Sequence, residues 1–414
     1  MPTSSFDLTV EIKRVQQAAR AISVADAVAQ RSKALRAIAS VIADNQDDIL
    51  EANTLDLEIS RDMAVPDLVV DWLKLTPERI HKVVSIFRKL ALAGADYVGT
   101  AQSGNALTQY CTCPVGTVGF IYEAFPDLSA IAAALCLSTG NALVLRGGGE
   151  ASRTNRIIAD LMRDTLETVG LPPTLILLAD PTEISRQDVS QCSDIDLIIT
   201  HGRPSLVEQV VQQASVPVIP SRMGNCYLYW AASGSLDTVY HMAADSHSGT
   251  PDAINRVEKI LIHQSHSPNA IGRLWNRLQE SGFEVVADRA VTALCSASTA
   301  EETDAIKPSE WSQAYLKKKI ALRQVSDISE AIETINRYSS GHADSIVTND
   351  YVQSRQFAHR CRSASIYVNA SPRFIRDAEK VNAIALGTSN YKGTTGGLIG
   401  IEALQVRQRI CHSV

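Results

Sequence analysis

Apolar residues recur at three- and four-residue spacing through the first ninety positions of the chain and cluster in short runs after that. Between Gln30 and Asp44, Leu35, Ile38, Val41 and Ile42 form one stripe with Lys33 and Arg36 off it, which predicts an amphipathic helix. The stretch 75-LTPERI-80 predicts a helix start. Thr76 can cap, Pro77 suits the first helical position and Glu78 complements the dipole, so Ile80, Val83, Val84, Phe87 and Leu90 form the buried face. From Pro114 the runs 117-TVGFIY-122, 142-ALVLR-146, 174-TLILL-178, 195-IDLIIT-200 and 216-VPVIP-220 alternate with helical stretches. A second series follows at 258-EKILIH-263, 283-FEVVA-287, 318-KKIALR-323, 344-DSIVT-348 and 365-SIYVN-369. Apolar strands joined by helices predict parallel, doubly wound sheets, here two α/β domains. The polar, threonine-rich segment 98–113 and the tail Leu404–Ile410 are expected to form an outlying β-ribbon.

Composition changes little in this picture. The 414 residues suffice for two domains, and 45% hydrophobic with 20% charged residues excludes a disordered or fibrous chain. A net charge of -6 gives no basic footprint for nucleic acid or anionic lipid. No run of about eighteen apolar residues predicts a membrane span, and MPTSSFDLTVEIKR lacks the apolar core of a secretory signal. The eight cysteines show no C-x-x-C spacing, and Cys111 and Cys113 stand too close for a usual zinc pair. They read as reduced thiols in a cytoplasmic chain, with no metal expected.

No G-x-G-x-x-G follows the first sheet strand; Leu145-Arg146-Gly147-Gly148-Gly149-Glu150 stands after the second. Such a turn either lets a ligand approach a helix start or is a plain strand-to-helix connection.

Taken together, 75-LTPERI-80, 114-PVGTVGFIYEA-124, 132-AAALCLSTGNALVLRGG-148, 341-GHADSIVT-348, 367-YVNASPRF-374 and 400-GIEAL-404 resemble the gamma-glutamyl phosphate reductases, a branch of the aldehyde dehydrogenase superfamily. The likeness runs from about Gln30 to Ile410. It implies an aldehyde dehydrogenase-like α/β fold: a Rossmann-like cofactor-type domain over 1–97 and 114–247, a catalytic-type domain over 248–400, and an oligomerisation ribbon and tail over 98–113 and 401–414. It also implies a cysteine thiolate that attacks an acyl phosphate, NADPH as hydride donor, an amide that stabilises the oxyanion, and a carboxylate on the nicotinamide ribose.

Several of the positions that the resemblance assigns to chemistry carry other residues here. The family's Pro-Gly-x-Cys-Asn reads Pro251-Asp252-Ala253-Ile254-Asn255, in register through Glu258 and His263, which leaves Ile254 at the nucleophile. Glu-Ala-Arg-Pro-Asn reads Glu123-Ala124-Phe125-Pro126-Asp127, which leaves Asp127 at the oxyanion position, where it could instead cap the helix near Leu128. The ribose position is Ala385, followed by Gly396-Gly397-Leu398 in place of Arg-Gly-Pro. Thr200-His201-Gly202-Arg203 replaces Pro-Arg-Gly-Gly, and His247, Gly249 and Thr250 replace Lys, Gln and Arg. Arg146, Gly147, Gly148 and Asn155 are retained as cofactor-binding candidates.

The expectation is therefore a degenerate reductase scaffold with no catalytic residues, binding NADP(H) weakly or not at all. It would be a homodimer, partnered by analogy with an active paralogue or a glutamate kinase. Two alternatives stay open. One is a repurposed cleft using His247, Asp252, His201 or Asp127 as acid or base, against the reading of the two histidines as solvated loop residues. The other is a working NADP-dependent reductase in which Cys226 or Cys295 supplies the thiol, against the reading of Cys226 as a structural strand residue.

Overall fold

The computed structural model describes residues 7–22, 27–93, 102–105, 108–249, 253–295, 306–390 and 396–411. The chain divides into two compact units. The first holds Met1–Ser221, Arg376–Leu386 and Leu398–Val414, and the second holds Arg222–Ile375 and Gly387–Gly397.

In the first unit, helices Val28–Asp44 and Pro77–Ala93 occupy the stretches where periodicity predicts them. Thr76 Oγ1 accepts the Arg79 N–H at 3.3 Å, the first-turn cap expected there. Ile80, Val83, Val84, Phe87 and Leu90 are buried. Strands β1 (Gln102–Asn105) and β2 (Thr108–Pro114) precede a five-stranded sheet of β3 (Thr117–Tyr122), β4 (Ala142–Arg146), β5 (Ile176–Leu178), β6 (Leu197–His201) and β7 (Val218–Pro220). The sheet is parallel throughout, in the order β5-β4-β3-β6-β7. From β3 the chain winds to one side through β4 and β5, then returns to the other side at β6. The topological switch point of the doubly wound sheet therefore lies between β3 and β6.

The second unit is also a parallel sheet, built from β8 (Cys226–Trp230), β9 (Val257–His263), β10 (Glu284–Ala287), β11 (Lys319–Val325), β12 (Ala343–Val347) and β13 (Ser365–Val368). Its order is β10-β11-β9-β8-β12-β13. Alternate residues of β8 feed two different cores. Leu228 and Trp230 pack with Ile260 and Leu274, whereas Tyr227 and Tyr229 pack with Leu261 and Phe357. Because β8 pairs with β9 and β12, the units part at Ser221/Arg222 rather than at 247/248. The chain leaves and re-enters this unit along β14 (Ala385–Ser389) and β15 (Gly397–Gly400). The last strand, β16 (Gln405–Cys411), pairs antiparallel with β2, with Gln408 opposite Cys111, and completes a three-stranded ribbon in the first unit.

Buried polar groups pin the amino edge of the second sheet. Glu258 is fully buried and accepts the N–H groups of Asn225 (2.8 Å), Tyr315 (2.7 Å) and Leu316 (2.8 Å). Burial pushes its carboxyl above the ordinary range, while neighbouring Lys259 and the three N–H groups pull it back. Lys259, equally buried, donates to the Gln313 carbonyl at 3.0 Å and lies 3.5 Å from the centre of the Tyr315 ring. Burial lowers it to about 8. His342 is enclosed too and His247 half-buried; both are held neutral, each pushed down to about 4 by burial.

Two stability measurements follow from these groups. Glu258→Ala strands three backbone N–H groups beside a buried ammonium and should cost about 3–5 kcal/mol in denaturant unfolding; a loss below about 1 kcal/mol would contradict this account. The second concerns pH. The folded-state pKa of His247 lies near 4, below its unfolded value of 6.5, so its contribution is whole above 6.5 and drains away as pH falls toward 4. Asp344, raised to about 6 by burial, works in the opposite direction, so a single-variant comparison is needed. The deficit of His247→Gln relative to the parent should shrink by about 1.4 kcal/mol per pH unit between 6.5 and 4. A deficit independent of pH would mean that His247 does not titrate this way.

Candidate functional site

In a doubly wound sheet, the carboxyl ends of the strands at the switch point are the ordinary place for a ligand. In the first unit these ends are closed by the chain's own side chains. After β3 the backbone turns through two left-handed residues, Ala124 (φ 53) and Phe125 (φ 36), which β-carbon sterics disfavour by about 1–3 kcal/mol each. Packing holds them there. The Phe125 ring is fully buried, stacks on Trp72 at 4.8 Å and meets His201 edge-on at 5.0 Å. His201, the last residue of β6, shares a hydrogen bond of 2.8 Å with Ser221 Oγ through Nδ1. Beside it Arg203 grips Glu123 through Nε at 2.9 Å and through Nη2, and this pairing raises the pKa of the guanidinium.

Asp127 is not the helix cap. Helix Pro126–Thr139 starts after Phe125 with no side-chain cap, and Asp127 forms a bidentate pair with Arg79, through Nε at 3.1 Å and through Nη2. The same guanidinium donates to the carbonyls of Trp72 (3.1 Å) and Lys74. The carboxylate thus has a counter-charge from 75-LTPERI-80. It still offers acceptors alone, with no N–H for an oxyanion.

The glycine turn after β4 is tied up in the same way. Arg146 is buried, donates to the carbonyls of Ile184 (2.8 Å) and Gly147, and is pushed down by burial. A β-carbon on Gly147 would sit 2.3 Å from Asn155 Nδ2, and one on Gly148 2.0 Å from Glu150 Oε1. At Gly147 the Asn155 amide and the Tyr122 ring together crowd out a β-carbon, whereas at Gly148 the obstacle is the flexible end of Glu150. Glu150 folds back over the turn and accepts the Ala124 N–H at 2.6 Å. The N–H groups of Arg153 and Thr154, which open helix Ser152–Thr168, go to the buried carboxylate of Asp56 at 3.3 and 2.8 Å. The helix start that could have faced an anion is already capped. Ala385 is 4% exposed and offers only a methyl group. Arg146 spends Nε and Nη1 on the carbonyls of Ile184 and Gly147, Ala385 supplies no carboxylate for a ribose, and the buried Asn155 Oδ1 has no partner and can only accept.

In the second unit, Ile254 lies just ahead of β9 with its side chain fully buried. Its backbone is held as firmly as a reactive position would require: its carbonyl accepts the Gly224 N–H at 2.9 Å and faces His342 Nε2 at 3.1 Å. Asn255 donates to the Pro372 carbonyl at 2.7 Å. Cys226 Sγ is 3.3 Å from the same His342 Nε2. Because that nitrogen faces a carbonyl, it carries the proton, while Nδ1 lies 2.9 Å from Ser340 Oγ. His342 therefore cannot take a proton from Cys226, whose thiol burial pushes well above its ordinary value.

His201 is buried and His247 half-buried, so neither is a fully solvated loop residue. His247 Nε2 donates to the Val257 carbonyl at 2.9 Å, and its ring packs edge-on against Phe283. Thr250, Pro251 and Asp252 lie outside the described residues, and Cys295 ends helix Arg289–Cys295. Sequence reasoning missed Arg79, Glu150 and His342. Each sits in a segment that had been read for other reasons, and no local pattern marks its partner. Among the described residues no group of three or more His, Cys, Asp and Glu side chains could hold a metal, and no helix is long and apolar enough to cross a membrane.

Comparison with known proteins agrees with this architecture. The model of the aldehyde dehydrogenase family matches residues 8–304. A Synechocystis protein named gamma-glutamyl phosphate reductase 2 is 41% identical over 386 residues, covering 92% of this chain and 91% of that protein. Gamma-glutamyl phosphate reductase 1 of Bacillus licheniformis is 32% identical, covering 91% of each. The crystal structure of the Thermotoga maritima gamma-glutamyl phosphate reductase superposes with a TM-score of 0.87 over 99% of both chains at 26% identity. An acetylating aldehyde dehydrogenase from Geobacillus thermoglucosidasius shares the fold at 15% identity and a TM-score of 0.69. The chain belongs to the aldehyde dehydrogenase family, among the gamma-glutamyl phosphate reductases.

Proposed function

We propose that this chain is a catalytically silent gamma-glutamyl phosphate reductase homologue with a binding or regulatory role. The observation that carries this reading is the aliphatic, fully buried side chain of Ile254, which stands in the family register of the nucleophile. An isoleucine forms no thioester. The Cys226 thiol, which shares His342 with the Ile254 carbonyl, lacks a base there and is kept protonated by burial. The engagement of Arg146, the occupied glycine turn and the plug of Phe125 and His201 at the switch point support weak or absent NADP(H) binding. The acid-base reading of His201 and His247 loses support from their burial. A homodimer, with an active paralogue or a glutamate kinase as further partner, remains the proposal for what it binds.

A second reading is favoured by the comparisons. Relatives named gamma-glutamyl phosphate reductase match nearly the whole length, at up to 41% identity. They speak more directly for the family reaction, NADP-dependent reduction of L-glutamyl 5-phosphate to glutamate 5-semialdehyde, than for a silent scaffold. Against them stand the side chains at 254, 127 and 385.

The two readings part in an assay of the purified chain with glutamate 5-semialdehyde, NADP and phosphate. The silent reading expects no turnover above background. Turnover that native thiol alkylation abolishes would establish the second reading and sink the first. Titration of NADPH followed by its fluorescence should show no saturable change; saturation in the micromolar range would contradict the closed-turn account.

A further inference from the structure

Two thiols outside either candidate half-site converge on one oxygen. Cys111 and Cys113, two residues apart on β2, point from the same face of the ribbon, as strand periodicity demands. Their sulfurs lie 3.8 Å apart. Across the ladder Gln408, opposite Cys111, turns its Oε1 toward both, 3.5 Å from Cys111 Sγ and 3.2 Å from Cys113 Sγ. Both thiols are partly exposed. Cys113 also lines an open cavity of about 400 Å³ with Gln16, Gly140 and Asp196.

We propose that Cys111, Cys113 and Gln408 form a site for a thiophilic divalent cation of the zinc and cadmium type. The sulfur separation decides between this and a disulfide. Two ligands about 2.3 Å from a tetrahedral zinc ion stand about 3.8 Å apart, so the pair spans such an ion without backbone movement. A disulfide needs sulfurs about 2.05 Å apart and β-carbons about 3.8 Å apart. Same-face positions in a strand lie about 6.6 Å apart, so closing that bond would buckle β2 and break its ladder with β16. The C-x-C spacing is too short for the turn-borne pair of a zinc finger, but on an extended strand it places both sulfurs on one side. Burial and the adjacent Cys111 thiol push the Cys113 thiol up, and it is the thiolate form that ligates a metal. Binding then breaks two S–H bonds, forms two sulfur–metal bonds and passes two protons to solvent, with no change of oxidation state. The amide oxygen is a third, neutral ligand, and water completes the shell.

The test is titration of the full-length, reduced protein with cadmium chloride, read by the thiolate-to-cadmium charge-transfer band and by proton release in weak buffer. One ion per chain, two protons per ion and affinity that strengthens with rising pH are expected. Cys111→Ser and Cys113→Ser should each abolish the band, Gln408→Ala should weaken binding about 10-fold, and Cys192→Ser and Cys411→Ser should leave it unchanged. Far-ultraviolet circular dichroism of each variant checks that the fold is kept. Absence of the band in the parent, or its survival in the Cys111→Ser/Cys113→Ser double variant, overturns the proposal. So does loss of the band in Cys192→Ser or Cys411→Ser.

Discussion

The carboxylate of Glu258 fixes the geometry on which the functional reading rests. Three backbone N–H groups from two separate segments end on it. Its place at the start of β9 therefore cannot slide. A strand shifted by one residue would turn every side chain to the opposite face and leave those donors orphaned in a low-dielectric interior. The position four residues ahead is fixed with it, and its carbonyl is clamped by Gly224 and His342. What stands there is an isoleucine. The backbone around this position is fixed by single, specific hydrogen bonds, while the side chain it carries is a plain hydrocarbon.

Specific pairings fix the first unit too. The charged groups around Arg79, the glycine turn and the end of β3 are paired with groups of the same unit. Asp127 has its counter-ion, Glu150 has its amide, and Asp56 has taken the first N–H groups of the helix that follows. A ligand arriving here would compete with intramolecular partners already in place at high effective concentration.

Much of this was legible in the chain. Apolar runs at strand length, spaced by helical stretches, announced two parallel sheets, and the 75-LTPERI-80 segment announced its helix down to the cap. What escaped notice was tertiary. The Cys226–Trp230 run is short and follows closely on β7, so nothing local says that it opens a second sheet rather than extending the first. That Arg79 would neutralise Asp127, 48 residues away, is a property of how two helices dock and leaves no spacing signature. His201 and His247 looked like loop residues because their sequence neighbours are polar and small; packing against Phe125 buries the first and packing against Phe283 covers part of the second. The alternation that puts Cys111 and Cys113 on one face was in plain view, but a search for turn-borne metal pairs passes over it.

The strained turn at Ala124 and Phe125 limits which single substitutions the chain can absorb. A phenylalanine wedged between Trp72 and His201 makes the backbone around it tolerable. An arginine placed there would inherit the strain without the stacking and would bury its charge among rings. Neighbouring side chains would have to change first, so the aromatic filling acts as a lock against replacement one residue at a time.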